Sequence, residues 1–245
     1  MTFNIPTEVV ELPSKGLVYP ADSPLSSGKI EMKYMTAKEE DILTNQNYLR
    51  QGIAIDKLLQ SMIVSPINYN DLLIGDRDAL MLAARILSYG KEYSFAYKGK
   101  EHKVDLTSYQ AKVIDEKEYS AGVNEFTFTL PDTGNVITFK LLTHGDEGKI
   151  DTEIKGLQKV NQESSTQVTT RLKYTLTSIN GSREVKDIRD FIDNAFLAKE
   201  ARAFREYYSS LLPGIDYTTR LVINGVEEDV DLPIGLSFFW PDAWV

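Results

Sequence analysis

The chain has 245 residues, 27 basic against 36 acidic, a formal charge of −9, 42% hydrophobic residues and no cysteine. A chain of that length buries a sizeable core unaided, and the missing cysteines remove disulfides, thiolate zinc sites, iron–sulfur clusters and cysteine nucleophiles. Nucleic acid is not an expected partner: phosphate binding rests on Lys and Arg, and residues 1–145 hold 15 basic and 19 acidic side chains while 146–245 hold 12 and 17.

In chain order, the first 36 residues read as extended structure and turns, ending in the polar/apolar alternation Lys29–Met35 of a half-buried strand. Thr36 followed by Glu39 has the spacing of a capping box, and a helix is expected from about 37 to 50. Ile55, Leu58, Leu59 and Met62 share a helix face that stops before Pro66. The strongest helical pattern is Leu72–Tyr89, with Leu73, Leu80, Ala84 and Leu87 in one stripe and Gly90 placed as a left-handed cap. Arg77 falls in that stripe between Asp76 and Asp78, which predicts a buried ion pair. The period then changes to two: Tyr93, Phe95 and Tyr97 lead into a Lys98-Gly99-Lys100 turn, and Phe126, Phe128 and Leu130 face Ile137, Phe139 and Leu141 across Pro131–Asn135.

Helical spacing returns at 146–159. Residues 161–170 read as a polar loop, 171–179 are ambiguous between helix and strand, and a helix pair covers 182–212. A short hairpin about Asn224-Gly225 precedes the end, Leu236–Val245. Together these predict an α+β fold of helical blocks alternating with antiparallel hairpins, not a doubly wound parallel sheet. Two regions are expected: 1–145, with helices 37–64 and 70–90 and hairpins 91–143, then 146–245, mainly helical with a terminal hairpin and an aromatic tail. No stretch approaches the ~18–20 apolar residues that span a bilayer, and MTFNIPTEVVELPSKG lacks the pattern of a secretory signal, so no membrane partner is expected.

Leu130-Pro131-Asp132-Thr133-Gly134 matches both a cell-wall sorting signal and, in Asp132-Thr133-Gly134, the aspartic-protease triplet. The first needs an apolar segment and basic tail after it, and the second needs two carboxylates sharing a proton; a turn between strands explains the residues better. A hydrolase acting through Asp132 stays open as a further alternative. Asn180-Gly181-Ser182 reads as a turn. Phosphate-loop, dinucleotide and zinc-protease signatures are absent, and His102 and His144 are read as solvated loop histidines. No catalytic residue, cofactor or metal ligand is therefore expected. Phe238, Phe239, Trp240, Pro241 and Trp244 crowd large apolar side chains near the end; they either tuck into the core or anchor a partner protein.

Leu12-Pro13-Ser14-Lys15-Gly16-Leu17-Val18-Tyr19-Pro20, the run Lys33–Asn45, Ile55–Leu59, Gly75-Asp76-Arg77-Asp78, Arg85–Gly90, Ile179-Asn180-Gly181, Arg202-Ala203-Phe204-Arg205 and Phe238-Phe239-Trp240-Pro241 together resemble the baseplate hub and hub-assembly proteins of T4-like contractile-tailed phages. The resemblance implies a non-enzymatic hub-assembly factor or chaperone acting in the host cytoplasm on other hub or hub-assembly proteins. A permanent subunit in the virion's tail baseplate is the alternative, and self-association stays open. Where many relatives carry zinc-ligand cysteines in the hairpin before this end, Arg220–Glu228 has none, so packing and the Asn-Gly turn must hold it without metal.

Overall fold

Residues 4–160, 167–223 and 225–239 are described by the structure, a computed structural model. The α+β class is as expected: among the described residues, eight α-helices alternate with four small sheets, and every strand pair is antiparallel.

Strand β1 (Thr7–Glu11) pairs with β2 (Lys29–Lys33), whose alternation puts Ile30 and Met32 wholly inside. The single helix expected over 37–50 is two, α1 (Ala37–Thr44) and α2 (Gln46–Gln51). Asn45 breaks it: its backbone is extended (φ −68°, ψ 110°), and its side chain accepts from Asn47 and Tyr48 N–H groups as the cap of α2. Asn competes with helical hydrogen bonding in this way. Helix α3 (Ala54–Met62) follows, then α4 (Ile74–Tyr89), where Leu80 and Ala84 have no exposure. Gly90 ends α4 at φ 83° and ψ 178°, outside the left-handed helical cap expected of it.

Strands β3 (Glu92–Tyr97) and β4 (Lys100–Asp105) form the first predicted hairpin, with Lys98 and Gly99 both at positive φ as a primed two-residue turn requires. Strands β5 (Phe126–Thr129) and β6 (Val136–Phe139) form the second. Helix α5 (His144–Val160) and α6 (Gln167–Thr175) come next, so the last four residues of the expected 161–170 loop open α6, and the rest lie outside the described residues. The ambiguous 171–179 stretch is both things: α6 runs to Thr175 and β7 (Leu176–Ile179) starts at once, adding a third strand beside β6. Helices α7 (Val185–Asn194) and α8 (Ala198–Leu211) are the expected pair, and β8 (Thr218–Ile223) and β9 (Val226–Asp231) the last hairpin.

One apolar cluster runs from Leu12 to Phe239. The sheet β5-β6-β7 draws strands from both sides of residue 145. Lys98 reaches Glu228 on β9 at 2.5 Å, and Phe238 sets its ring edge-on to Tyr93 of β3 at 4.9 Å.

Candidate functional site

The Leu12–Pro20 segment is a series of tight turns that carries Ser14 and Tyr19 to the first turn of α4. There Asp76, with no exposure, accepts the Ser14 N–H at 2.9 Å, the Ser14 hydroxyl at 2.7 Å and the Tyr19 hydroxyl at 2.6 Å. The Tyr19 oxygen in turn accepts the Leu73 N–H at 2.8 Å. Burial pushes the Asp76 carboxyl up against the lowering pull of its three donors, and burial together with Asp76 pushes the Tyr19 phenol up. Two glycines allow close backbone packing on either side of this contact. Gly16 sits at φ +79°, where a Cβ would stand 2.4 Å from the Ser26 carbonyl oxygen, and a Cβ on Gly75 would stand 1.8 Å from that of Pro213. Two of the segments that carry the family resemblance therefore form one hydrogen-bonded lock.

Beside it lies a cleft of about 600 Å³ between α3, α4, α5 and the loop 213–215. Arg77 is partly buried and paired, as its place in the apolar stripe predicts, but its acid is Asp56 of α3 at 2.9 Å; neither flanking aspartate pairs with it. Tyr69 donates to Asp56 at 3.0 Å and accepts from Arg77 at 3.1 Å. His144 heads α5, its ring edge-on to Tyr69 at 4.7 Å and its Nε2 3.9 Å from Asp56. Burial lowers the His144 pKa, opposed by the charges of Asp56 and Glu147 and reinforced by that of Arg77. Among the described residues its side chain makes no hydrogen bond to a nucleophile, and no group of three His, Asp or Glu side chains is arranged to hold a metal. Two ion pairs, Arg77–Asp56 and Arg171–Glu147, line the cleft.

The other histidine is not in a solvated loop either. His102 lies on β4, 6.0 Å from the Phe95 ring, with Nε2 buried and unpartnered among the described residues. Asp132 occupies a surface turn and pairs with Lys199 at 2.9 Å. The neighbouring carboxylate, Glu200, is buried and accepts the N–H groups of Asp132 and Thr133 at 3.1 and 2.7 Å, pinning the turn rather than sharing a proton with Asp132. Of the aromatic tail, Phe238 and Phe239 have no exposure, so these two act as core residues rather than surface anchors. Trp240, Pro241 and Trp244 lie outside the described residues.

Sequence reading singled out the Asp76 cluster but missed Asp76 itself, because its partners stand 62 and 57 residues away. The usable signal was a serine and a tyrosine inside a Pro/Gly turn segment, residue types that seek a buried acceptor.

No curated protein and no solved structure matches the chain. The family described as T4 bacteriophage base plate protein matches residues 7–125, from the first residue of β1 to the residue before β5. That span, just under half of the chain, contains both halves of the Ser14–Asp76–Tyr19 lock, and over it the chain is similar to the T4-like phage baseplate proteins.

Proposed function

We propose that the chain is a non-enzymatic assembly protein of the baseplate hub, working through protein–protein contacts in the host cytoplasm before the tail is complete. The observation that carries this reading is the base plate family match over residues 7–125; the hub-level detail rests on the motif resemblance. A non-catalytic role is supported by the pairing of Asp132 with Lys199 and by His144, whose side chain hydrogen-bonds no nucleophile among the described residues. Among the described residues no helix is long and apolar enough to cross a membrane, and the −9 charge disfavours nucleic acid.

Quantitative mass spectrometry of purified virions, set beside a pull-down of the tagged chain with known hub proteins from infected cells, tests the reading. An assembly factor co-purifies with hub intermediates and is depleted from finished particles. Stoichiometric copies in the virion would replace it with the permanent-subunit reading.

A further inference from the structure

Strand β1 leaves one edge of its sheet open. Leu12 N–H donates to the Gly28 carbonyl and Tyr34 N–H to that of Pro6, so in the alternation of an antiparallel ladder Glu8 and Val10 bond β2. The N–H and C=O groups of Thr7, Val9 and Glu11 therefore point away from β2, and they meet no partner among the described residues. The opposite edge is taken: Glu31 of β2 accepts the Val64 N–H at 2.8 Å and gives its own N–H to the Ser65 hydroxyl. Nor is β1 guarded as edges usually are. The edge strands β4 and β9 each carry four charged residues in six, which protects them against pairing with another chain. β1 reads Thr-Glu-Val-Val-Glu, with Val9 at its centre 61% exposed and Val10 packed on the core.

This edge is complementary to itself. Two copies of β1 running antiparallel about a two-fold axis at Val9 pair Thr7 with Glu11, Val9 with Val9 and Glu11 with Thr7. All three outward residues then lie in hydrogen-bonded pairs, each exchanging two bonds. On the other face Glu8 stands opposite Val10, so no carboxylate is set against another. Centring the axis on Glu8 instead would oppose two carboxylates, which destabilises a strand pair. Centring it on Val10 would set Thr7 opposite Pro13, which has no N–H to give.

We propose that β1 is a self-association edge, to which a second copy of this chain adds its own β1 antiparallel about Val9. Two two-stranded sheets then become one of four strands, β2-β1-β1-β2, and added strands stabilise where a lone pair is marginal. The contact is isologous and stops at a dimer. It does not rest on the hub-assembly reading, and virion composition does not bear on it.

Sedimentation velocity and amide exchange of the full chain test the proposal. The chain should pass from monomer to dimer as its concentration rises, with protection of the Val9 N–H rising alongside. Val9→Pro removes only an outward N–H, which a sheet edge tolerates, and should abolish the dimer with the melting temperature kept. Val9→Lys and Val9→Glu chains should each stay monomeric, since like charges meet at the axis, and an equimolar mixture of the two should dimerise. A chain monomeric up to about 1 mM overturns the proposal. So does a dimer indifferent to Val9→Pro, or a mixture of the Val9→Lys and Val9→Glu chains that associates no better than either alone. Val9 N–H protection independent of concentration would give the edge to another segment of the same chain and overturn it too.

Discussion

Around Asp76, three donors from a turn at least 57 residues away converge on one buried carboxylate, whereas between β5 and α8 the packing is ring on ring. Phe139 meets Phe204 edge-on at 5.0 Å and Phe126 face-on at 5.6 Å, and Phe128 stacks on Tyr207 at 5.0 Å. A polar lock specifies residue types, since each buried donor needs its acceptor. Aromatic packing specifies mainly volume and shape. The matched stretch carries most of the segments that read as a motif, and Ser14, Tyr19 and Asp76 among them are committed to folding.

The comparison can be broken at several points. Phe204→Ala opens a cavity in the ring cluster and should lower stability by about 3–5 kcal/mol in urea titration. Asp76→Ala orphans the Ser14 N–H, the Ser14 hydroxyl and the Tyr19 hydroxyl, and should cost on the order of 3 kcal/mol. A midpoint unchanged by Asp76→Ala would mean that the turn is held by its apolar residues alone. Arg77→Ala leaves Asp56 without its cation and should cost roughly 1–3 kcal/mol; in a double-mutant cycle the coupling should appear with Asp56 and not with Asp78.

Glu39 sharpens the contrast by pH. Burial works against its charge, but hydrogen bonds from Lys33, Thr36 and Ser61 prevail and bring its carboxyl from 4.5 down to about 2. A depressed acid stabilises the fold above its unfolded value, so that contribution should be complete above 4.5 and disappear as pH falls toward about 2. Glu39→Gln should flatten the urea midpoint across that window. Smallest is Asp132→Ala, which removes one exposed pair worth no more than about 1 kcal/mol. Infectivity lost with folding intact would restore the hydrolase alternative.

Much of the fold was legible because local periodicity dictated it: the hairpins at 92–105 and 126–139 announce themselves by alternation, and α4 by its stripe. Asn45 was hidden inside a helical pattern because one side chain, not the period, ends α1. The 171–179 stretch looked ambiguous because α6 passes into β7 with no residue between. The lock was not legible, since Asp76 meets Ser14 and Tyr19 only through tertiary packing.

Native-state amide exchange at Ser14 and Leu73 tests the polar lock most directly. Both N–H groups are spent on it, one on the Asp76 carboxylate and one on the Tyr19 hydroxyl. They should exchange only through global unfolding, and Asp76→Asn should release Ser14 before the rest of the core. Rapid exchange of Ser14 in the unaltered protein would contradict the account.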